Sequence, residues 1–478
     1  MENLLIDRCV FRYCIDGVVI AAKGDGNPSS ETLASAITVR NCVFEGGWWV
    51  LPVRSKPSGG VYAGTATFTD TTLTDSTASF PQLKQYTTIR LLHQQAAGTT
   101  TEAGQTYFKD MNAPAPFMQL GIVPGDIVRT EEPQKKFAIV TGIESAQTVR
   151  IEEWLDDMTR QPAPPPANGT PYRLFHVFLG RREGTVANTP TTITVERWHD
   201  LDGRTITGAI LTNLHTSSHP LTYEVLPDRP NYLLHAEYNA RDIRVLNNVF
   251  RRGWSDQCSI YGDRALISGN DLRDGQDIGI TSNGQRGGAG GHTIISNNVV
   301  RHHGVTGIFS TGEATLIANN VLSRNTWVNH VNLFSCGDIV VGGPHPLISG
   351  NLCDGESKPL ARYGIVLGST ANPVVLDNTC RRHTRTNGGA GIHCYQEGSI
   401  GPNGMKVWNN DVSEETIGLK HTNVPTGGDY QLVGTADPNT TGGILAAPGS
   451  LYRRTSGGPP FLYVKESPAN VTTGWIGK

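Results

Sequence analysis

One short pattern recurs along this chain and limits its fold more than any other feature: apolar-x-apolar, two variable residues, Asn, then a second short apolar stretch. It reads AITVRNCVF, DIRVLNNVF, ALISGNDL, TIISNNVV, TLIANNVL, PLISGNLC, VVLDNTC and MKVWNNDV, with its Asn at Asn41, Asn248, Asn270, Asn298, Asn320, Asn351, Asn378 and Asn410. From Asn248 onward the copies follow one another every 22 to 32 residues, the signature of one stacked unit repeated. LLIDRCVF, near the start, is an earlier copy with Arg8 in the Asn place.

Each copy is followed by a second, Gly-rich strand: CSIYG, IGITS, TGIFSTG, VNLFSCG, YGIVLGS, AGIHCYQ and IGLKH. Side chains alternate across a strand, and one coil cannot bury its apolar face until another coil stacks on it. The predicted inward column of this strand is Ile260, Ile280, Ile308, Leu333, Ile365, Ile392 and Leu419. The repeated Asn fits a corner, where αL geometry is cheap for it and stacked amides can bond along the axis. A leucine-rich repeat is the rival, but its LxxLxL spacing is missing and no helix reads between copies. The fold class is therefore all-β, a parallel solenoid.

These segments resemble the right-handed parallel β-helix superfamily, which includes pectate-lyase-like enzymes and phage tailspikes. The resemblance covers roughly residues 1–57 and 231–428. Between them, residues 58–230 change to Thr/Val/Ile-rich alternating stretches split by turn signals, which predicts a small inserted all-β domain. Its VPGD turn and IVTGIESAQTVRIEE hairpin are similar to a β module of phage tail proteins. Residues 429–478 form a predicted β tail, and GSLYRRTSGGPPFLYVKESPANVTTGWIGK within it is similar to a C-terminal segment of phage tail fibres. The first coil has no capping helix, so truncation, a stacking chain or trimer contacts are expected to cover its edge.

Net charge is −3, with 40 basic residues against 43 acidic ones and no basic stripe, so nucleic acid is not an expected partner. The start shows no basic stretch followed by a purely apolar one, and no apolar run approaches ~18 residues, so neither Sec export nor a membrane span is expected. The eight cysteines lack metal-like spacing and read as buried reduced thiols.

Neighbouring coils of a β-helix stand ~4.8 Å apart, close to the ~5–5.5 Å separating the carboxyls of a retaining glycosidase. Counting five residues on from the inward column places Glu313 after Ile308, Asp338 after Leu333 and Glu397 after Ile392. Glu313 and Asp338 are thus a candidate acid and nucleophile on adjacent coils. A second acidic group holds Asp256, Asp263, Asp274 and Asp277, from which Asp263 and Asp277 are further catalytic candidates. DGQDIGI is similar to the paired-Asp stretch of polygalacturonase-like β-helix hydrolases, and Gly291-His292 to their Gly-His step. The family's Asn-Thr-Asp, adjacent Asp-Asp, Gly-His-Gly and Arg-Ile-Lys motifs are absent. A lyase would need a base, for which Lys420 and Arg286 are available. Trp254 and Trp327 offer flat faces for sugar rings, with His330, His393 and Glu397 as polar partners. The histidines lack a fixed metal spacing, so no metal site and no cofactor are predicted, with a divalent cation such as Ca²⁺ left open.

The resemblance implies a tailspike-like or tail-fibre-like protein, homotrimeric and joined to other virion proteins. It would act from a virion tail, outside the host cell, on surface polysaccharide that it binds and could degrade. The alternatives are a stand-alone glycoside hydrolase or polysaccharide lyase, and a purely structural tail component.

Overall fold

The computed structural model describes residues 3–12, 17–20, 34–46, 51–84, 87–131, 135–182, 186–201, 204–227, 232–237, 240–253, 255–283, 291–326, 336–357, 361–368, 370–383, 389–395, 404–412, 414–415, 417–422, 429–434, 439, 446, 448, 450–454, 462–466 and 473–477. The chain divides into two units: Met1–Trp48 with Pro230–Lys478, and Trp49–Arg229. The first junction comes before residue 57, because Arg54 already donates to the Val225 carbonyl (2.8 Å) within the second unit.

The first unit is a right-handed parallel β-helix of three ladders. The first ladder runs through Leu5–Asp7, Thr38–Arg40, Arg244–Leu246, Leu266–Ser268 and on to Lys406–Asp411. The second runs through Val10–Arg12, Val43–Glu45, Val249–Arg251, Asp271–Gly275 and on to Thr379–Arg381. The third begins with Val18–Ile20, Leu234–Ala236, Cys258–Ile260 and Ile278–Ser282 and ends at Leu419–Thr422. Adjacent coils pair in parallel, and the inward residues Val245, Ile267, Ile295, Ile317 and Ile348 are fully buried. Phe11, Phe44 and Phe250 stack on the second ladder with ring centroids 4.8 and 4.7 Å apart. Each such buried side chain contributes roughly 1.5–3 kcal/mol of transfer free energy.

The Asn column forms, with one correction. From Asn248 to Asn378 each amide donates to the Oδ1 of the next ladder Asn, the last being Asn410, at 2.8–3.0 Å and to an inward-strand carbonyl of the preceding coil, as Asn298 does to Ile267. Asn41 is not in this column: Cys42 takes the place, its N–H donating to Asn248 Oδ1 at 2.9 Å. Nor do the ladder residues carry the αL turn. That conformation falls one residue earlier, at Asn41, Asn247, Gly269, Asn297, Asn319, Gly350, Asp377 and Asn409. The corner divides its labour, one residue bending the chain and the next, buried, satisfying the amides.

The tail adds Asp429–Gly434 and Leu451–Arg454 in parallel, then Leu462–Lys465 and Trp475–Gly477 antiparallel. It buries Tyr430, Tyr452, Tyr463 and Trp475 at the end of the core. The seven described cysteines are free thiols, and six are buried.

Among its described residues the second unit is all-β except for a single 3-10 turn, Phe117–Gln119, and a short α-helix, Gly208–His215, capped by the Thr207 hydroxyl. Its sheet is antiparallel, centred on Thr88–Thr99 against Pro171–Arg182. In the VPGD turn, Gly125 takes φ +100 and Asp126 Oδ2 accepts from Val123 N. Buried Arg90 and partly buried Arg129 both bond Glu224. Burial opposes the charge on Glu224, yet the two guanidinium groups overcome it and hold the carboxyl down at about 2.

Candidate active site

The third ladder decides which carboxylates meet. Its register is Cys258, Ile280, Ile308, Ile339, Ile365, Ile392 and Leu419. Ile339 occupies the place predicted for Leu333, which lies outside the described residues, and Ile260 pairs with Ser282 rather than Ile280. The shift separates the predicted Glu313–Asp338 pair. Glu313 bridges to Gly291 on its corner, and the next coil presents Pro344 there, whose carbonyl accepts from Ala314.

Asp338 immediately precedes inward Ile339, a position held by glycine in the other coils from Gly279 through Gly307, Gly364 and Gly391 to Gly418. A Cβ at Gly307 would stand 2.8 Å from Leu322 Cδ2 and from Asn325 Nδ2, and one at Gly364 2.7 Å from Cys380 Sγ. The position faces the interior, so Asp338 projects into the core and is 3% exposed. A buried polar chain crosses several coils there. His303 sets its ring nitrogens 3.1 Å from Gln257 Oε1 and Asn325 Oδ1, and Asn325 Nδ2 donates to Asp338 at 2.7 Å. His383 donates from Nε2 to Asp338 (3.0 Å) and from Nδ1 to Glu415 (2.5 Å). Burial works against a charge on His383, but these two carboxylates push it up to about 10. Enclosed on all sides, the cluster is structural.

Asp256 and Asp277 precede the third-ladder strands of two successive coils, Cys258–Ile260 and Ile278–Ser282. Since Cys258 pairs with Ile280, the two carboxylates stand on adjacent coils, offset by one residue. Asp256 is buried and Asp277 half-buried. Burial first, and then the charge of Asp277, pushes Asp256 up to about 7, against the opposing pull of the Thr281 and Ser259 hydroxyls. Those two hydroxyls are buried beside the pair, one residue on from Cys258 and from Ile280, where they act on Asp256. One acid protonated near neutrality beside a second carboxylate is the division of roles that glycosidic hydrolysis requires.

The other candidates fall elsewhere. Asp263 sits on a corner, accepting from Gly291 N at 3.1 Å, with His292 at 3.4 Å and Arg264 at 3.8 Å, so it does not join Asp277. His393 lies on the outer side of the third ladder, aligned with Val366 and Lys420, its ring 4.2 Å from Tyr363. Trp254, Trp327, His330, Glu397 and Arg286 lie outside the described residues. Among the described residues no three His, Cys, Asp or Glu gather as a metal site, and no helix is long and apolar enough to cross a membrane.

Fold and site together define a right-handed parallel β-helix with an acidic pair at the edge of one ladder. A family model described as a right handed beta helix region matches residues 259–423. No curated protein matches the chain. Among solved structures it is similar to a mannuronan C-5 epimerase A-module of Azotobacter vinelandii, at 13% identity and TM-score 0.25, covering 49% of this chain and 62% of that one. The chain thus spans about three fifths of that module. It is also similar to a glycoside hydrolase (10% identity, 95% of this chain, 87% of the other, TM-score 0.30) and to the tailspike of Pseudomonas phage LKA1 (10%, 95%, 54%, 0.19).

The burial that sets Asp256 apart leaves no mark in the sequence. Asp338 falls at the predicted place only when VNLFSCG is taken as the strand. The Gly-before-Ile text of IGI, TGI, YGI and AGI, matched by GDI, held the true register.

Proposed function

We propose that the chain is a tailspike-type β-helix that engages an extended polysaccharide along the outer side of its third ladder and hydrolyses it with Asp256 and Asp277. The observation that carries this reading is the carboxylate pair on adjacent coils, with Asp256 kept protonated near pH 7 by burial and its neighbour. Asp256 gives its proton to the glycosidic oxygen as the C–O bond breaks, while ionised Asp277 acts on the opposite side as nucleophile or as base toward water. The Ser259 and Thr281 hydroxyls stand beside Asp256 and temper the rise of its pKa. Attachment to a virion tail as a homotrimer, outside the host cell, is the setting we propose, supported by the sequence likeness of residues 449–475 to tail-fibre ends.

The test is incubation with a panel of purified capsular polysaccharides and lipopolysaccharides, reading new reducing ends and unsaturated-uronate absorbance. Reducing ends without that absorbance are expected, and Asp256→Asn and Asp277→Asn should each slow release roughly 10²–10⁴-fold while binding persists. Cleavage untouched by both substitutions would remove the pair from catalysis. Unsaturated products would make the protein a lyase.

A further inference from the structure

Arg362 stands just ahead of the third-ladder strand Tyr363–Leu367 and is 7% exposed. Its Nη1 is buried with no hydrogen-bond partner, and among the described residues no carboxylate forms an ion pair with it. Among the described residues, the groups next to it are aromatic, cationic or neutral. Lys420 places its ammonium 5.7 Å from the centre of the Tyr363 ring, where burial and then the charge of Arg362 hold its pKa below the usual lysine range. Tyr363 packs against His393, and the buried thiol of Cys336 lies within the field of Arg362. The buried guanidinium thus shares an aromatic setting with a half-exposed ammonium, and the buried charge of Arg362 is costly unless an opposite charge meets it.

The register connects this place to the acidic pair. Arg362 stands three residues before inward Ile365, and Asp277 three before inward Ile280, with the Ile308 and Ile339 coils between them. Three coils span about 14 Å at ~4.8 Å per coil, within reach of one short oligosaccharide lying along the axis. A guanidinium fork matches a carboxylate bidentately, and the neighbouring ammonium adds a point charge.

We propose that Arg362 and Lys420 form a carboxylate-binding subsite, so that the polysaccharide is an acidic one carrying a uronic or similar carboxylated sugar three coils from the bond acted upon. This rests on the reading of the third ladder as the polysaccharide-binding face.

The full chain can be run by affinity electrophoresis through gels containing polygalacturonate, alginate, neutral dextran or dextran sulfate. Retardation by a polyuronate is expected, with dextran and dextran sulfate ineffective. Arg362→Gln should weaken it about ten- to a hundredfold, and Lys420→Gln, at a half-exposed position, by less. Without polymer, Arg362→Gln should leave Tm unchanged or raise it, because it removes a buried charge that the described protein does not neutralise. A lowered Tm with retardation intact would make Arg362 structural and overturn the subsite, as would wild-type retardation in both variants. Equal retardation by dextran sulfate would overturn the carboxylate specificity. Cleavage of a neutral polysaccharide that depends on Asp256 and Asp277, with polyuronates ignored, would sink this inference and leave the proposed face standing. Retention and cleavage of no glycan at all would sink the face itself.

Discussion

The two sides of the third ladder bury polar groups in different ways. On the inner side, from Gln257 through His303, Asn325, Asp338 and His383 to Glu415, each side chain lies within hydrogen-bond distance of the next. On the outer side, Arg362 Nη1 is buried just as deeply with no such partner, and the Ser259 and Thr281 hydroxyls have only Asp256 to act on. Burial and unusual protonation are common to both, since Asp256 and His383 are each displaced from their ordinary values. What separates them is whether the polar groups are already answered within the protein. Inside, they hold coils in register; outside, they include the groups that we propose a ligand meets.

The strongest attack on this contrast is His383→Leu, which strands Asp338 and Glu415 in the core. It should cost about 3–5 kcal/mol in urea unfolding and leave glycan cleavage per folded molecule unchanged. Asn320→Ala comes next. It removes the acceptor for Asn298 N and Nδ2 and the donor to the Ile295 carbonyl, for about 2–4 kcal/mol. The histidine also gives stability a pH dependence. Its folded pKa, near 10, lies above the unfolded value of about 6.5, so its contribution is complete below pH ~6.5 and fades as pH climbs toward 10. Denaturant midpoints between pH 6 and 9.5 should show this slope, and His383→Gln should flatten it.

Outside, it is activity rather than stability that fades as pH rises. Asp256 acts as an acid only while protonated, so activity should fall as pH passes about 7. Asp277→Glu, which keeps the charge, should hold that alkaline limb, whereas Asp277→Asn should move it to lower pH in whatever activity survives. The smallest effect is expected at Glu313. Glu313→Gln should leave release unchanged within error, because its neighbour across the corner is Gly291.

Much of this molecule was legible in its text, and the parts that were not share a cause. The Asn repeat announced the solenoid because each ladder Asn must meet the next at the same corner, so spacing in sequence maps onto stacking in space. Asn41 misled because two adjacent corner residues favour Asn for separate reasons, one for αL backbone and one for its amide. Asp338 misled because counting from Leu333 puts it five residues past the inward place, whereas Ile339, directly after it, holds that place. Arg362 carried no motif, since the absence of a counter-charge is a property of three dimensions.

One coil also contains the entire second unit. After Val43–Glu45 the chain departs for Trp49–Arg229, then returns at Leu234–Ala236, paired in step with Val18–Ile20 on one side and Cys258–Ile260 on the other. Nothing in the stacking rule counts how far the chain wanders at that corner, only that it comes back in phase. Such a scaffold works like a spine with open sockets: passenger modules can be gained, exchanged or shed over evolutionary time without renegotiating the core that carries them.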